Sequence, residues 1–463
     1  MHLRAQAPPA ARRRSLSKTA RLQLRNADVL PHAWLLAILG IGLGAATALV
    51  PEYAAILLGG LALAAIASWR PVFPVVFGLL ILAVAWSRLF APSSLVAQEG
   101  SEKLLLYACL LPAAYIRGLS WQRGLPVLAY GLVAVLAALV GTPLPGLTTG
   151  QTLSSLATLC IGWVFFATRW DWTTDRIIAK ALAWMPLASV AIGAVLQLAH
   201  RLSLASGSSP PRLEGASLAA WLAALSLAGV AACLVLRRRD RWPLAPRLAV
   251  INTAILAATL TRGALIALAV MSLPTAGRFA NHQLRHRGTG SATRIAAASL
   301  AVVAVLSVLV PYIAARNANA VSYSATSGSE SDISSGRFTA WAVAYSYAKA
   351  NLAFGRGIGA GPVVGSEPNS PQGFLAQHDE YVRMLLEVGV VGGLILLSAM
   401  GAALRRAFKE APLQIRADIA AMALALATYS VTDNTLSAVN IAVPLLLVIS
   451  LASSPGRSLH VLS

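Results

Sequence analysis

The stretch Leu248–Leu273 (LAVINTAILAATLTRGALIALAVMSL) constrains the fold most, because it is long, apolar and broken by charge only at Arg262. Basic segments flank it, with Arg237, Arg238, Arg239 and Arg241 before and Arg278, Arg285, Arg287 and Arg294 after. Loops rich in Lys and Arg stay on the cytoplasmic side of a membrane. Both flanks therefore belong to one side, and the stretch must enter and leave the bilayer as a hairpin over 247–277. Arg262 then falls near the far turn. A charge deep in a bilayer is costly and marks a functional-site candidate. The competing reading is an arginine that snorkels to the interface.

The other apolar runs extend this pattern. With 57% hydrophobic and 12% charged residues and a mean hydropathy of +0.68, the chain reads as an all-α, polytopic membrane protein. The short alternating segments of a β-barrel are absent from the sequence. Spans are expected near 33–50, 54–69, 72–90, 103–118, 124–141, 154–168, 179–199 and 216–236. After the 247–277 hairpin come 295–313, 384–403, 417–432 and 436–452. Several runs are short of the ~20 residues a bilayer core requires, so the expected count is about 12–14 crossings with both termini cytoplasmic.

The expected organisation is a basic cytoplasmic tail (1–32), a transmembrane region (33–313) and a large periplasmic loop (314–382). C-terminal transmembrane helices (383–453) and a short cytoplasmic tail (454–463) follow. The tail before the first apolar run is too long and polar for a typical cleaved signal peptide.

The net charge of +20 raises nucleic acid as a partner, but its distribution argues against that. The cations lie in short loops and in the tail (Arg4, Arg12, Arg13, Arg14, Lys18, Arg21, Arg25), where topology and anionic lipid headgroups account for them. The three cysteines, Cys109, Cys160 and Cys233, sit inside apolar runs and read as core packing. Neither a phosphate-binding G-x-x-x-x-G-K-[ST] loop nor zinc-ligand spacing occurs, so no nucleotide, cofactor or metal is expected.

Polar residues gather on the non-cytoplasmic side of this threading. They are Glu52, Arg88, the loops 91–102 and 142–153, the 200–214 loop with Arg212, then Arg262, Asp433 and the segment 314–382. Residues 317–334 are rich in Ser, Ala and Asn. The following GRFTAWAVAYSYAK (336–349) has helical periodicity and is expected as a helix at the membrane face. The glycines of Gly355-Arg356-Gly357-Ile358-Gly359-Ala360-Gly361 follow no strand, which argues against a dinucleotide loop. They suit a tight turn that offers backbone amides to an anion, or that simply bends the chain.

Several of these elements together resemble the O-antigen ligase and polymerase superfamily. They are Ser335-Gly336-Arg337 with Trp341, then Asn351-Leu352-Ala353-Phe354-Gly355, His378-Asp379-Glu380-Tyr381 and Leu386-Glu387-Val388-Gly389-Val390-Val391-Gly392. Thr261-Arg262-Gly263-Ala264 is similar to that family's Ser-Arg-Gly element, and the ordered set covers roughly residues 205–440. Thr261 stands where Ser is more usual, Asp379 where Asn is common, and Arg212-Leu213-Glu214-Gly215 lacks a frequent continuation.

The resemblance implies a fold like the C-type glycosyltransferases. It also implies transfer of a glycan from undecaprenyl pyrophosphate to a hydroxyl, in the ligase branch a sugar of lipid A–core, in the bacterial inner membrane. Membrane lipids are the other expected partners.

Under that reading, a lipid pyrophosphate needs its charge neutralised, and guanidinium groups can grip phosphate oxygens bidentately. Arg262 and Arg337 are the leading candidates, with Arg212 and Arg88 as further clamps. Solvated loop or interface roles compete for the last two. Of the seven histidines only His200 and His378 fall on the non-cytoplasmic side, and His378 is the candidate general base. Asp433 and Asp379 are candidates to orient it or bind the acceptor, while Asp433 also suits an Asx turn. Direct attack would invert the anomeric centre. Within the superfamily, an O-antigen polymerase or a protein O-oligosaccharyltransferase is the alternative. Outside it, a lipid flippase or transporter is disfavoured, because no internal repeat is evident and the candidates lie toward one face.

Overall fold

The computed structural model describes residues 72–84, 99–199, 203–205, 211–285, 337–365 and 379–454. The spans expected at 33–50, 54–69 and 295–313 lie outside these residues, as do Arg88 and His378. Among the described residues all regular structure is helical, apart from isolated bridges pairing Leu119 with Thr168 and Ala205 with Leu213.

The helices, in chain order, are α1 (Val72–Val84), α2 (Glu99–Arg117), α3 (Leu125–Leu139), α4 (Thr149–Ala167), α5 (Trp172–Leu198) and α6 (Ala219–Asp240). Then come α7 (Ala245–Ala258), α8 (Arg262–Arg285), α9 (Arg337–Ala348), α10 (Ala360–Gly365), α11 (Glu380–Glu410), α12 (Arg416–Ser430) and α13 (Val439–Ser453). Four of them, α4, α5, α6 and α11, are long and apolar enough to cross a membrane; α1, α3, α7 and α13 are shorter apolar helices.

The expected hairpin over 247–277 is broken between α7 and α8, at Thr259–Thr261. The two arms do not stay together along their length. α7 packs on α6 and α5, whereas α8 packs on α12.

The centre of the bundle is α6 with α13. Every residue of α13 is buried, and α6 is buried over most of its length. A helix apolar on all sides belongs in the interior, and the alanines of α6 let neighbouring backbones come close. The outer helices turn large apolar side chains outward, among them Leu132, Leu139, Val195, Leu273 and Leu394. Such faces suit lipid. Pro186 interrupts the backbone ladder of α5, and the buried Asn252 of α7 donates to the nearby Ala183 carbonyl at 3.0 Å. Side-chain donors of this kind satisfy carbonyls that water cannot reach.

The two ends of the bundle differ in chemistry. One end is basic. There Arg123 pairs with Glu410, Arg278 and Arg238 pair with Asp418, and Arg239 lies 4.3 Å over the Trp172 ring. These contacts join the ends of α6, α8 and α11 to the starts of α5 and α12 and to Arg123, just before α3. The opposite end carries the 142–148 loop, the α7–α8 corner, the α12–α13 turn and the 337–365 segment. Helix α9 forms where expected; its Ala344 and Ala348 are buried with Leu144, Ala360, Val364 and Leu386.

Candidate functional site

Three pieces of chain meet at this second end. The first is the α7–α8 corner. Leu260 takes a left-handed conformation (φ 53°) between the helices, which costs a residue with a Cβ about 1–2 kcal/mol. Strain of this kind persists only where surrounding structure enforces it. Arg212 supplies part of that enforcement: its Nε donates to the Thr259 carbonyl (2.9 Å) and its Nη2 to Thr261 Oγ1 (3.1 Å). Arg262 follows directly and is the first residue of α8. A helix N-terminus carries partial positive charge and unsatisfied amides, so a cation there adds to the local positive potential instead of offsetting it.

The second piece is the α12–α13 turn, Val431–Ala438. Gly263, on the first turn of α8, lies so close to it that a Cβ there would overlap the Thr432 side chain. The close approach puts Arg262, one residue earlier, beside the turn that holds Asp433. Asp433 is half-buried; its Oδ1 accepts the Asn434 amide (2.9 Å), and its carbonyl accepts the Thr435 amide (3.0 Å). An Asx turn would instead bring the side chain to the amide two residues on, so that expectation holds only loosely. Ser430 and Thr435 share a hydroxyl–hydroxyl bond that closes the turn.

The third piece is the start of α11 with the glycine loop against it. Asp379 caps the helix: its Oδ1 accepts the amides of Tyr381 (2.8 Å) and Val382 (3.0 Å). Burial pushes the Asp379 carboxyl above the usual aspartate range, against these amides, which favour its charged form. Helix α11 is not continuous. At Gly389 the backbone turns left-handed (φ 66°), and the 352–357 segment inserts at the break. Val390 and Val391 donate to the carbonyls of Leu352 and Ala353, while Arg356 and Gly357 donate to those of Leu386 and Glu387. A Cβ at Gly355 or Gly389 would collide with backbone atoms, so both positions require glycine.

The glycine loop does present amides to an anion, as its sequence suggested, but the anion is internal. The Glu387 carboxylate accepts the Gly361 amide (3.3 Å) and a further bond from the Gly359 backbone.

Of the sequence-derived candidates, Arg212, Arg262, Asp433 and Asp379 gather on this one end. Arg337 opens α9 on the same end, though its side chain, like Arg88 and His378, lies outside the described residues. Sequence reading missed the buried triad Glu380–Arg383–Glu387. Arg383 pairs with Glu380 three residues before it and Glu387 four residues after it, and all three are almost wholly buried. Their i, i+3 and i+4 spacing within an apolar helix was the available signal. Among the described residues no cluster of His, Cys, Asp and Glu suits a metal ion, and the three cysteines are free.

Helices of this length and composition, with apolar outer faces, make the chain a multi-pass membrane protein. Residues 247–397, about a third of the chain, match the family model described as O-Antigen ligase. The match supports the O-antigen ligase and polymerase superfamily, at a coarse level membrane enzymes of the glycosyltransferase kind. It spans the α7–α8 corner, the glycine loop and the start of α11. No curated protein matches this chain.

Proposed function

We propose that this protein is an O-antigen ligase. It takes a glycan from an undecaprenyl pyrophosphate carrier and joins it to a sugar hydroxyl of lipid A–core at the periplasmic face of the bacterial inner membrane. The carrying observation is Arg262. It stands at the N-terminus of α8, pressed against the Asp433 turn by a glycine contact, within the segment that matches the family.

Arg262 and Arg337 grip the pyrophosphate, and Arg212 holds the corner that aims Arg262, with Arg88 as a further clamp. The acceptor hydroxyl attacks the anomeric carbon and its proton passes to His378. The bond from that carbon to the pyrophosphate oxygen breaks, inverting the centre and releasing undecaprenyl pyrophosphate. Asp379, next to His378, and Asp433 orient the base and the acceptor. The arginines supply the positive charge that a divalent ion supplies in other pyrophosphate chemistry. In this reading the segment 314–382 is the large loop on the periplasmic side.

Lipopolysaccharide banding in a deletion strain tests this reading. A ligase predicts loss of long chains, accumulation of lipid-linked polymer, and rescue by the wild-type gene but not by Arg262→Ala. A single repeat retained on the core would instead assign the protein to the polymerase branch.

A further inference from the structure

The Glu380–Arg383–Glu387 triad ties together two of the three pieces, the α12–α13 turn and the start of α11 with its glycine loop. Glu380 Oε2 accepts the Leu436 amide of the α12–α13 turn at 3.1 Å. Glu387 Oε1 accepts the Gly361 amide of the glycine loop at 3.3 Å. Arg383 joins the two carboxylates, with Nε and Nη2 on Glu380 and Nη1 on Glu387.

One guanidinium therefore connects the turn that holds Asp433, the loop beside α9 and the segment led by Asp379. The break at Gly389 separates residues 380–388 from the long shaft of α11, so this segment is held by the 352–357 backbone bonds and by the triad. Two carboxylates and one guanidinium leave the cluster formally anionic inside an apolar bundle. Buried charges of this kind are no cheap source of stability: well-packed apolar residues usually do as well. Their best-attested use is to fix one arrangement of the chain among several. The neighbouring Tyr130 hydroxyl is buried and bonded to nothing among the described residues, so it does not compete for either carboxylate.

We propose that Arg383 is a positioning residue for glycan transfer, holding the Asp379 segment and the Asp433 turn in register through Glu380 and Glu387. The proposal rests on the ligase reading for its reaction and on the hydrogen bonds above for its mechanics. Arg383 touches no substrate in this account and acts only through the two carboxylates.

The test uses the full-length protein in detergent and the triple variant Glu380→Gln, Arg383→Met, Glu387→Gln. Arg383→Met alone strands two buried carboxylates and is expected not to accumulate, whereas the triple variant keeps the shape and removes the charge. Two readouts are taken. In the first, kcat for transfer from purified lipid-linked glycan should fall at least ~10-fold while the donor KM stays within ~3-fold. In the second, Thr435→Cys, at a position fully buried in the parent, should react at least ~10-fold faster with a maleimide in the triple background than in the parent.

A folded triple variant with unchanged kcat, or with Thr435→Cys as protected as before, overturns the proposal. So does a triple variant that fails to fold, because the charges then serve the fold alone. If the parent itself transfers no glycan, the ligase reading falls, and the labelling still decides whether the triad holds the turn.

Discussion

Gly263→Ala probes the contact that sets Arg262 against the Asp433 turn. The added Cβ would overlap Thr432 Oγ1 and lie 2.9 Å from Thr432 Cβ and 3.0 Å from Tyr429 Cδ2. Tyr429 is fully buried and cannot swing aside. With the Thr432 hydroxyl rotated aside, restoring a carbon–carbon separation of ~3.5 Å still requires α8 to withdraw by ~0.6 Å. Overpacking of this kind costs about 1–3 kcal/mol, here toward the upper end because the Thr432 hydroxyl also gives up its bond to the Tyr429 carbonyl, offset by at most ~1 kcal/mol from replacing glycine in a helix. The expected net loss is about 1–2 kcal/mol. Because a ~1 Å misplacement can cost ~10²-fold in rate, transfer should fall by about tenfold. Thr432→Gly removes the main obstacle at a position just past a helix end, where glycine is favoured.

The double variant should therefore recover most of the stability and rate. Tryptophan-monitored thermal unfolding in detergent, with transfer measured on the same samples, reads both quantities. Gly263→Ala behaving like the parent would exclude so tight a contact between α8 and the turn. So would a coupling to Thr432→Gly below ~0.5 kcal/mol.

Gly389→Ala and Gly355→Ala press a Cβ against backbone rather than side chain; each should cost about 3 kcal/mol or more and sharply lower the folded yield on size-exclusion chromatography. Arg212→Lys should keep part of the corner and Arg212→Ala none of it, so donor affinity should rank parent, Lys, Ala in a lipid pyrophosphate binding assay. Asp379→Ala should lose about 1 kcal/mol of helix capping while Asp379→Asn retains it, by the same unfolding measurement. Burial raises the folded pKa of Asp379, so its contribution is largest below the unfolded value of ~3.9 and declines as pH rises through the folded value. Unfolding midpoints from pH 4 to 8 should show that decline in the parent and lack it in Asp379→Asn.

The broken helix at 259–261 was legible because two basic flanks forced an entry and an exit, and the helices α2 to α6 follow the apolar runs closely. What the runs could not give was partnership. α7 and α8 are apolar around most of their surface, so no stripe announces that one packs on α6 and the other on α12. The family-like motifs led to Arg262 and Asp379 by type and order, and the threading led to Asp433. They could not reveal that Gly355 and Gly389 interlock, since that close approach joins segments more than thirty residues apart. Arg383 stayed hidden because the expected span began at 384, which left Glu380 and Arg383 outside the apolar run although α11 starts at Glu380. The amides of the glycine loop were legible as anion donors, while the identity of the anion, Glu387, depended on the tertiary fold.

We propose that Arg262 binds the lipid pyrophosphate from which a glycan is transferred. The most direct test is single-turnover transfer by the purified protein, with defined lipid-linked donor and lipid A–core acceptor, in the presence of EDTA. The parent should transfer glycan, and Arg262→Ala should do so at least ~10²-fold more slowly, with weakened donor binding. Arg262→Lys should recover only part of both, because an ammonium cannot form the bidentate fork. Parental rates and donor affinity in Arg262→Ala, or transfer that stops when EDTA is added, would contradict the proposal.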